Sequence, residues 1–322
     1  MTLFRIGTYN VENLFDRFDD PYSIGDDTYG RFTTKPKSRA KLYDCGRRIR
    51  ENGVRKQIPI DIVGLQEIEN FGALLDFVQA SVGPGYGAKT GVVSLPSNDP
   101  RGIDLGLIVR TDVFRIGRII SHRFKQFKRS DGELYQFGRD CLQVEILKKE
   151  TNYLFLTVFI CHLKSKYTGI NEFDKPDEYA AEQRLNTIKR SAEASEIARI
   201  VKESVNIEDD LFIVLGDMND TPDSEALVPL LGDASQLGLI NALTLISQDD
   251  LLPNSPIRRP RDTHHWKRPM ENGKKVDEWA QIDYLLCSKK LWTFNTGKAE
   301  VINSPQEQGS DHYLSYVEFK VE

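Results

Sequence analysis

Short runs of apolar, β-branched residues recur along the chain, and each run is bounded by polar residues. Runs of five to nine residues that are rich in Val, Ile and Phe predict β-strands rather than helices. The last run alternates apolar and polar positions, which is typical of a half-buried strand. The predicted strands cover residues 4–9, 58–65, 103–109, 153–161, 211–215, 282–287 and 313–321.

Helical periodicity lies between these strands and is clearest in residues 177–202. Leu185, Ile188 and Ala192 recur there at spacings of three to four residues, which places them on one face of a helix. Pro176 stands directly ahead, at a position where helices commonly begin. Two further helices are predicted at residues 37–52 and 71–82.

Three segments are rich in Gly, Pro, Asp, Asn and Ser, and they predict long surface loops at residues 21–36, 83–101 and 247–272. None of them is long or biased enough to be a linker between domains. We therefore expect a single domain over residues 1–322, with strands dominant and helices interspersed. Long loops in such a domain more often carry function than not.

Composition excludes several classes of protein. The chain has 43 Lys and Arg residues against 48 Asp and Glu residues, a net charge of −5. This charge rules out histone-like or tail-driven binding of nucleic acid, but it leaves room for a local basic groove. Four cysteines without CxxC spacing predict free thiols and no zinc site or disulfide framework. The sequence contains no run of 18 apolar residues, so we predict no membrane-spanning helix. The first residues lack an apolar secretion signal, so the cytoplasm is the default location, although a trimmed secreted chain would begin in the same way.

Polar residues of one chemical type stand where several predicted strands begin or end. Because a strand end brings its side chain to the rim of the sheet, we expect these residues to gather around a ligand. Carboxylate and amide oxygens are the ligands that Mg²⁺ and Mn²⁺ prefer. The residues are Asn10, Glu67, Asp217, Asn219, Asp283 and Asp311, with His162 and His312 at two further strand boundaries.

Each of these residues alone also has an ordinary structural explanation. Asn10 suits a turn, Glu67 suits a helix N-terminus, and His162 could be a buried, hydrogen-bonded histidine. The exception is Gly-Asp-Met-Asn-Asp at residues 216–220, because a polar cluster directly after a fully apolar strand has little structural use. The joint presence of all these elements, in this order, favours a functional site.

The ordered motifs Thr-Tyr-Asn, Gln-Glu, His-Leu-Lys-Ser, Gly-Asp-Met-Asn-Asp, Gln-Ile-Asp-Tyr and Ser-Asp-His resemble those of the endonuclease/exonuclease/phosphatase superfamily. That superfamily includes deoxyribonucleases, abasic-site endonucleases, sphingomyelinases and inositol polyphosphate phosphatases. The motifs extend from Asn10 to His312. The resemblance implies an α/β fold, namely a four-layer α/β/β/α sandwich of two packed mixed β-sheets flanked by helices.

The resemblance also implies a role for each matched residue. Asn10 and Glu67 would bind Mg²⁺ or Mn²⁺, with Asp311 as a further ligand. Asp217 and Asn219 would position the attacking water and the phosphate. Asp283 would pair with His312 and favour its imidazolium form, while His162 would protonate the leaving oxygen or hydrogen-bond the phosphate.

Two departures narrow the branch of the superfamily. The chain has Glu12 at a position where the similar abasic-site enzymes have Asp. It has His-Leu-Lys-Ser-Lys, beginning at His162, where those enzymes have a segment that contains tyrosine. Abasic-site specificity is therefore not expected, and the chain is more similar to bacterial deoxyribonuclease-like nucleases. Substrate-binding residues are then expected at Asn13, Arg101, Lys164 and Lys166, although Arg101 could instead form a salt bridge with Asp104 or another neighbour, and the lysines could simply be solvated.

Basic segments at residues 115–129 and 255–275 interleave cations with aromatic residues, which suits a nucleic-acid backbone and its bases. Either segment could also be an ordinary charged face. His264 and His265 lie in the second segment without a nearby cysteine or further histidine in the sequence, so we interpret them as loop residues.

The sequence thus predicts a metal-dependent phosphodiesterase. The favoured activity is that of a nuclease, with DNA as the first candidate substrate and RNA as the second. The alternative of the same fold is a phosphodiesterase or phosphatase that acts on a lipid head group or an inositol phosphate. A catalytically dead binding module is disfavoured, because such a module need not keep every catalytic group. No protein partner is inferred.

Overall fold

A computed structural model of the protein describes residues 2–16, 39–51, 59–86, 90–232, 237–248, 258–302 and 309–321. The predicted loop at residues 21–36 lies outside these ranges. Within the described part of the chain, no helix combines the length and the hydropathy that a membrane span requires. All four cysteines are buried and carry no disulfide.

The helices and strands are numbered in chain order. The helices are α1 (Arg39–Glu51), α2 (Phe71–Phe77), α3 (Pro176–Ser204), α4 (Val228–Leu231) and α5 (Lys289–Trp292). The strands are β1 (Thr2–Leu14), β2 (Ile62–Ile68), β3 (Val92–Leu95), β4 (Asp104–Val109), β5 (Phe114–Ser121), β6 (Gln126–Lys128), β7 (Leu134–Gln136), β8 (Cys141–Lys148), β9 (Leu154–His162), β10 (Phe212–Asp217), β11 (Ile240–Asn241), β12 (His264–Pro269), β13 (Lys275–Ala280), β14 (Asp283–Cys287), β15 (Asn295–Val301) and β16 (Ser315–Val321).

Two mixed six-stranded sheets form the centre of the structure. The first has the strand order β15-β16-β1-β2-β4-β3, and the second has the order β11-β14-β10-β9-β8-β5. Each sheet contains one parallel pair, β1 with β2 in the first and β9 with β10 in the second. The other pairs within both sheets are antiparallel.

The sheets pack face to face over a shared apolar core. Phe4 of the first sheet contacts Phe155 of the second with ring centroids 5.1 Å apart. Helices α1 and α2 bury residues such as Ile49 and Leu74 against the outer face of the first sheet, and α3 buries Ile197 against the second. The layers therefore run α/β/β/α, which confirms the predicted fold.

The predicted helices are present with small changes at their ends. The helix predicted at residues 177–202 is α3, and that at 37–52 is α1. The segment 71–82 is helical throughout, since α2 continues into a wider π-helical turn over Val78–Val82. Each strongly apolar run also forms a strand, because burial on both faces selects continuous apolar sequence.

Two loop predictions were wrong in part. The segment 83–101 contains β3, a four-residue strand too short to stand out among its Gly and Pro neighbours. The segment 247–272 contains the whole of β12, which pairs with β13 to form a hairpin. Its sequence, His-His-Trp-Lys-Arg-Pro, lacks the apolar alternation of a sheet packed on a core. His264 and His265 consequently lie on a strand, and their interpretation as loop residues was wrong.

Candidate active site

Strand pairing brings the predicted motifs to one end of the two sheets. Asp217, the last residue of β10, lies opposite His162 on the parallel strand β9 and opposite Asp283 on the antiparallel strand β14. Asn10 of β1 pairs with Gln66, which immediately precedes Glu67 in β2. Residues from opposite ends of the sequence therefore meet at one rim.

The buried Asp217 carboxylate is the centre of the cluster. Its Oδ2 lies 3.1 Å from Asn10 Nδ2, which donates a hydrogen bond to it, 3.6 Å from His162 Nε2 and 3.7 Å from His312 Nε2. Its Oδ1 accepts a 2.8 Å bond from the backbone N–H of Asn219. Burial raises the pKa of Asp217 to about 7, while the positive charge of His312 opposes this rise.

His312 forms an ion pair with the buried Asp283. His312 Nδ1 lies 2.8 Å from Asp283 Oδ2. Burial alone would lower the pKa of His312, but the charges of Asp283 and Asp217 hold it well above its usual value. Thr263 fixes the backbone at Asp283, because the Thr263 hydroxyl oxygen accepts hydrogen bonds from the backbone N–H groups of Ile282 and Asp283 at 3.0 and 2.9 Å. His312 is thus an imidazolium at neutral pH.

His162 has the opposite electrostatic environment. Burial lowers its pKa well below the usual value, and the positive charges of Arg139 and Arg101 lower it further. Its Nε2 lies 4.0 Å from Glu67 Oε1 as well as close to Asp217, and its buried Nδ1 has no hydrogen-bond partner in the described structure. The site therefore holds one neutral and one charged histidine, on two sides of a single carboxylate oxygen.

Glu67 lies on strained backbone. It has a φ of +64°, and its Oε2 accepts a 2.9 Å bond from the backbone N–H of Asn13. Glu12, Asn13 and Asn219 also have positive φ, between +50° and +52°. Non-glycine residues in this region cost free energy and tend to cluster at functional sites. The predicted substrate-binding residue Asn13 therefore lies beside Glu67, which it contacts through its backbone.

Asp311 lies at the outer edge of the cluster, with its side chain 43% exposed. Its Oδ1 is 4.0 Å from His312 Nε2, and its Oδ2 is 3.5 Å from His264 Nε2. Although burial opposes the change, the contact with His264 and the charge of His312 lower the pKa of Asp311 to about 2. His264 reaches the site through a β-bridge to His312, a contact that no local motif in the sequence indicates.

The donor atoms of the site suit a divalent cation. Asp217, Asp283 and His312 have ligand atoms within 4.8 Å of one another, as do His264, Asp311 and His312. The carboxylates of Glu67, Asp217, Asp283 and Asp311 outnumber His312, the one histidine of the cluster whose pKa is raised. Such an excess of carboxylate oxygens in a buried site fits a hard ion such as Mg²⁺ or Mn²⁺.

The three predicted substrate-binding cations have different surroundings, and two of them form ion pairs. Arg101 Nε lies 3.0 Å from Asp99 Oδ1, which is a salt bridge with a neighbour other than Asp104. Lys166 Nζ lies 2.6 Å from Asp220 Oδ1. Lys164 is half-buried, and burial together with the charges of Arg139 and Lys189 lowers its pKa.

Sequence reasoning missed a set of buried charges that support this rim. Arg139 Nε lies 2.7 Å from Asp99 Oδ2, so Asp99 contacts two arginines near His162. Glu193 of α3 accepts bonds from the backbone N–H groups of Lys164 and Gly138 at 2.7 and 2.9 Å. Arg190, also on α3, is paired with Asp220 at 2.7 Å. These residues belong to no motif, and only their burial in the folded chain reveals them.

The two basic segments differ from the sequence expectation. In residues 115–129, Arg118 pairs with Glu145 at 2.7 Å, Lys125 with Glu203 at 3.1 Å and Arg129 with Asp131 at 2.7 Å. Three of the six Lys and Arg residues of this segment are therefore paired with carboxylates of the same chain. Of the second segment, residues 255–257 lie outside the described ranges, Arg258 is buried against the ring of Tyr313, and Lys267, Lys274 and Lys275 are exposed.

Solved structures with the same fold cover nearly the whole chain. An endonuclease/exonuclease/phosphatase family protein from Bacteroides thetaiotaomicron superposes with a TM-score of 0.56 at 16% identity, covering 99% of this chain and 96% of that one. The mannosyl-6-phosphatase of the same organism gives 0.54 at 16%, covering 99% and 100%. D. rerio TDP2 complexed with single-strand DNA product gives 0.52 at 13%, covering 100% of both chains.

At these identities the structural similarity establishes the fold alone, and the family is established by sequence. A search of curated proteins gave no match. The family model described as Endonuclease/Exonuclease/phosphatase family matches residues 5–249, about three quarters of the 322 residues. With its two packed sheets and its cluster of carboxylates and histidines at their rim, the chain belongs to the Endonuclease/Exonuclease/phosphatase family of hydrolytic, divalent-metal-using phosphoesterases.

Proposed function

We propose that the protein is a divalent-metal-dependent nuclease that hydrolyses phosphodiester bonds, with DNA as the favoured substrate and RNA as the second. The observation that carries this proposal is the convergence of His162 Nε2 and His312 Nε2 on one oxygen of Asp217, at 3.6 and 3.7 Å. When a phosphodiester is hydrolysed, its leaving group departs as an alkoxide. The reaction therefore needs a proton donor on one side of the phosphorus and an oriented water on the other. The two histidines offer hydrogen-bond donors to the phosphate and the leaving oxygen, and the Asp217 carboxylate near both of them can orient the water.

Asn10, Glu67 and Asp311 would hold the metal ion. When bound, such an ion neutralises the phosphate charge and stabilises the leaving oxygen. The Asn10 side chain also positions Asp217 through its Nδ2 group, while its Oδ1 accepts a 2.9 Å bond from the backbone N–H of Glu12. The carbonyl oxygen has a second lone pair for a ligand.

Asp217 and Asn219 would orient the attacking water. The Asn219 amide is held by the carbonyl of Leu163 at 3.0 Å, and its backbone N–H holds Asp217, so the two side chains are fixed relative to each other. Water held by a fixed carboxylate needs little reorganisation on the way to the transition state. His312, supported by Asp283, would bind a phosphate oxygen, and His162 would hydrogen-bond the phosphate or the leaving oxygen.

A polymer substrate is favoured by the cations on the His162 side of the site. Arg101, Arg139, Lys164 and Lys189 act together on the electrostatics of this side, as their effects on the pKa values of His162 and Lys164 indicate. Flanking phosphates of a nucleic acid would meet these positive charges. Arg101, Lys164 and Lys166, together with Asn13, are the proposed contacts.

The test is a substrate panel with Mg²⁺, Mn²⁺ or EDTA. Supercoiled plasmid, single-stranded DNA, RNA, bis-p-nitrophenyl phosphate, p-nitrophenyl phosphate and sphingomyelin are incubated with the protein and with Asp217→Asn as the inactive control. We expect EDTA-sensitive cleavage of nucleic acid that Asp217→Asn abolishes. Hydrolysis of the phosphomonoester or of the lipid without cleavage of nucleic acid would overturn the nuclease proposal.

A further inference from the structure

The proposed chemistry leaves unused two rings, those of His264 and Trp266, which lead from the catalytic residue His312 toward the surface. The His264 ring lies 4.3 Å from the His312 ring, centroid to centroid. The Trp266 ring lies 5.4 Å further from His264 and is within 15° of parallel to it. The hairpin of β12 and β13 therefore extends an aromatic surface outward from the reaction centre.

The two faces of this hairpin have different environments. Because side chains alternate along a strand, His264, Trp266 and Arg268 share one face, and His265 lies on the other. On that other face, His265 stacks on Trp279 at 4.5 Å, and Trp279 packs against the core between the sheets. The face with Trp266 is the one that continues the catalytic site.

Trp266 is half-buried and held in place by its neighbours. His264 stacks against its indole, and the cross-strand neighbour Glu278 forms a 2.5 Å ion pair with Arg268 on the same face. A rigid indole at the edge of an active site presents a large planar surface at little cost in side-chain entropy. Planar groups of a ligand stack on such a surface.

The segment before α3 carries further aromatic residues, and part of it lies near the outer end of the hairpin. The hydrogen bond and the charge of Glu278 raise the pKa of Arg268, and Glu172 and Tyr179 lie near enough for their charges to raise it further. That segment carries Tyr167, which is 80% exposed, and Phe173, which is 42% exposed. Aromatic side chains are thus present on the segment before α3 as well as on the hairpin.

We propose that Trp266 is a base-stacking subsite, which binds the nucleobase attached to the scissile phosphate. This inference rests on the proposed nuclease function and specifies its substrate: a phosphodiester with a planar heteroaromatic group one sugar away from the phosphate. A sugar phosphate or a choline head group has no such ring. Stacking on an aromatic side chain tolerates any base, so the subsite selects nucleotides without selecting sequence.

The experiment is a cycle that combines removal of the indole with removal of the base. The substrates are a ten-nucleotide single-stranded DNA and a series in which a tetrahydrofuran residue replaces one base at a time, and kcat/KM is measured for each bond by mass spectrometry of the products. The proteins are the wild type, Trp266→Ala and Trp266→Phe. Tyr153→Ala is the matched control, since Tyr153 is 76% exposed and precedes β9 at the end opposite His162.

For the wild type, loss of the base beside the cleaved bond should lower kcat/KM by about tenfold, the usual weight of one base–aromatic stack. Trp266→Ala should lower kcat/KM on the intact DNA by the same factor, and removal of the base should then have no further effect. Trp266→Phe should retain most of the base effect, and Tyr153→Ala all of it.

Two results would overturn the subsite. The base effect could persist undiminished in Trp266→Ala, or Trp266→Ala could leave kcat/KM on the intact DNA unchanged. In both cases the wild type still cuts DNA, so the proposed function stands. If the wild type cuts no oligonucleotide with either metal but hydrolyses a phosphomonoester, the proposed function and the subsite both fail.

Discussion

At the scale of single residues, the ion pair of Asp283 with His312 determines the charge at the centre of the site. The pair is buried and joined at 2.8 Å, and the charge of Asp283 is the main force that raises the pKa of His312 against the effect of burial. Asp283→Asn removes that charge and keeps the shape of the side chain. The pKa of His312 should then fall, and turnover should drop by roughly 10²–10⁴-fold.

The measurement is an NMR titration of the imidazole protons, which is practicable because the chain has only five histidines. In the wild type, the His312 signal should remain that of the imidazolium through neutral pH. In Asp283→Asn it should titrate at lower pH. An unchanged titration in the variant would show that Asp283 does not set the charge of His312.

Glu67 offers a second test at this scale. Among the described residues, its carboxylate has a backbone partner on one oxygen and the more distant His162 Nε2, at 4.0 Å, near the other. If that oxygen binds the metal, Glu67→Ala should raise the Mg²⁺ concentration needed for half-maximal activity about tenfold or more, as losses of metal-site groups typically do. The thermal stabilisation by Mg²⁺ should shrink in parallel.

The exposed Asp76 on α2 provides a matched control, because Asp76→Ala also removes one carboxylate but lies outside the site. It should leave both titrations unchanged. Equal metal titrations for Glu67→Ala and the wild type would remove Glu67 from the proposed ligands.

At the scale of the elements, the sequence is informative wherever an apolar run is followed by a polar motif. Asp217 and Asn219 are recognisable because the whole signal lies within one strand and its end. His264 is not recognisable in this way, since its role depends on a hairpin whose position beside His312 is a contact between distant parts of the chain. Arg139 follows the same rule, because its partner Asp99 belongs to a different segment. Local sequence thus indicates which residues end the strands, and tertiary packing decides which cations and rings surround them.

The end of β10 yields a prediction about one glycine. Gly216 has a φ of +137°, and a Cβ atom there would lie 1.9 Å from the carbonyl oxygen of Cys161 on β9. Gly216→Ala should therefore force β9 and β10 apart where they carry His162 and Asp217. Backbone strain of this kind should lower the free energy of unfolding, measured in urea, by about 1–3 kcal/mol. We also expect kcat to fall by a larger factor than KM changes.

The control is Gly132→Ala, because Gly132 also has a positive φ, +89°, but has no atom within 4 Å of the new Cβ. Comparable effects of both substitutions on kcat would contradict the close approach of β9 and β10 as the cause.

At the scale of the whole molecule, buried carboxylates at the junction of the sheets link stability to pH. Asp104 begins β4 in the first sheet, and Asp140 directly precedes β8 in the second. Burial raises the pKa of Asp104 to about 7 and that of Asp140 to about 6. The folded protein therefore binds these protons more tightly than the unfolded chain does, so stability should fall as pH rises from about 4 to about 7.

Asp104→Asn should flatten this decline. The new amide oxygen can still accept the bond that Asp104 Oδ1 receives from the backbone N–H of Ser97 at 2.7 Å. A shift of one pKa unit corresponds to about 1.4 kcal/mol. At pH 8 the free energy of unfolding of the variant should therefore exceed that of the wild type by up to about 4 kcal/mol. At pH 4 the difference should be much smaller. Urea unfolding at both pH values measures this, and an equal difference at the two would exclude Asp104 as the titrating group.

The distribution of charge over the molecule leads to a final prediction about salt. The chain carries a net charge of −5, so we expect a nucleic acid to be attracted by local groups of cations, such as those at the rim of the site, and not by the molecule as a whole. Binding of a single-stranded DNA to the Asp217→Asn protein should therefore weaken steeply with salt, by about 0.7 log units per log unit of salt for each phosphate contact. Adding Lys164→Ala should weaken binding and reduce that slope by about 0.7, the contribution of one contact. Lys290→Ala is the control, because it also removes one lysine charge but lies on α5, beyond the end of β14 opposite Asp283. Fluorescence anisotropy over a range of NaCl concentrations gives both slopes. If the slopes of Lys164→Ala and Lys290→Ala coincide, Lys164 makes no phosphate contact, and the polymer would have to be bound by other cations than those beside His162.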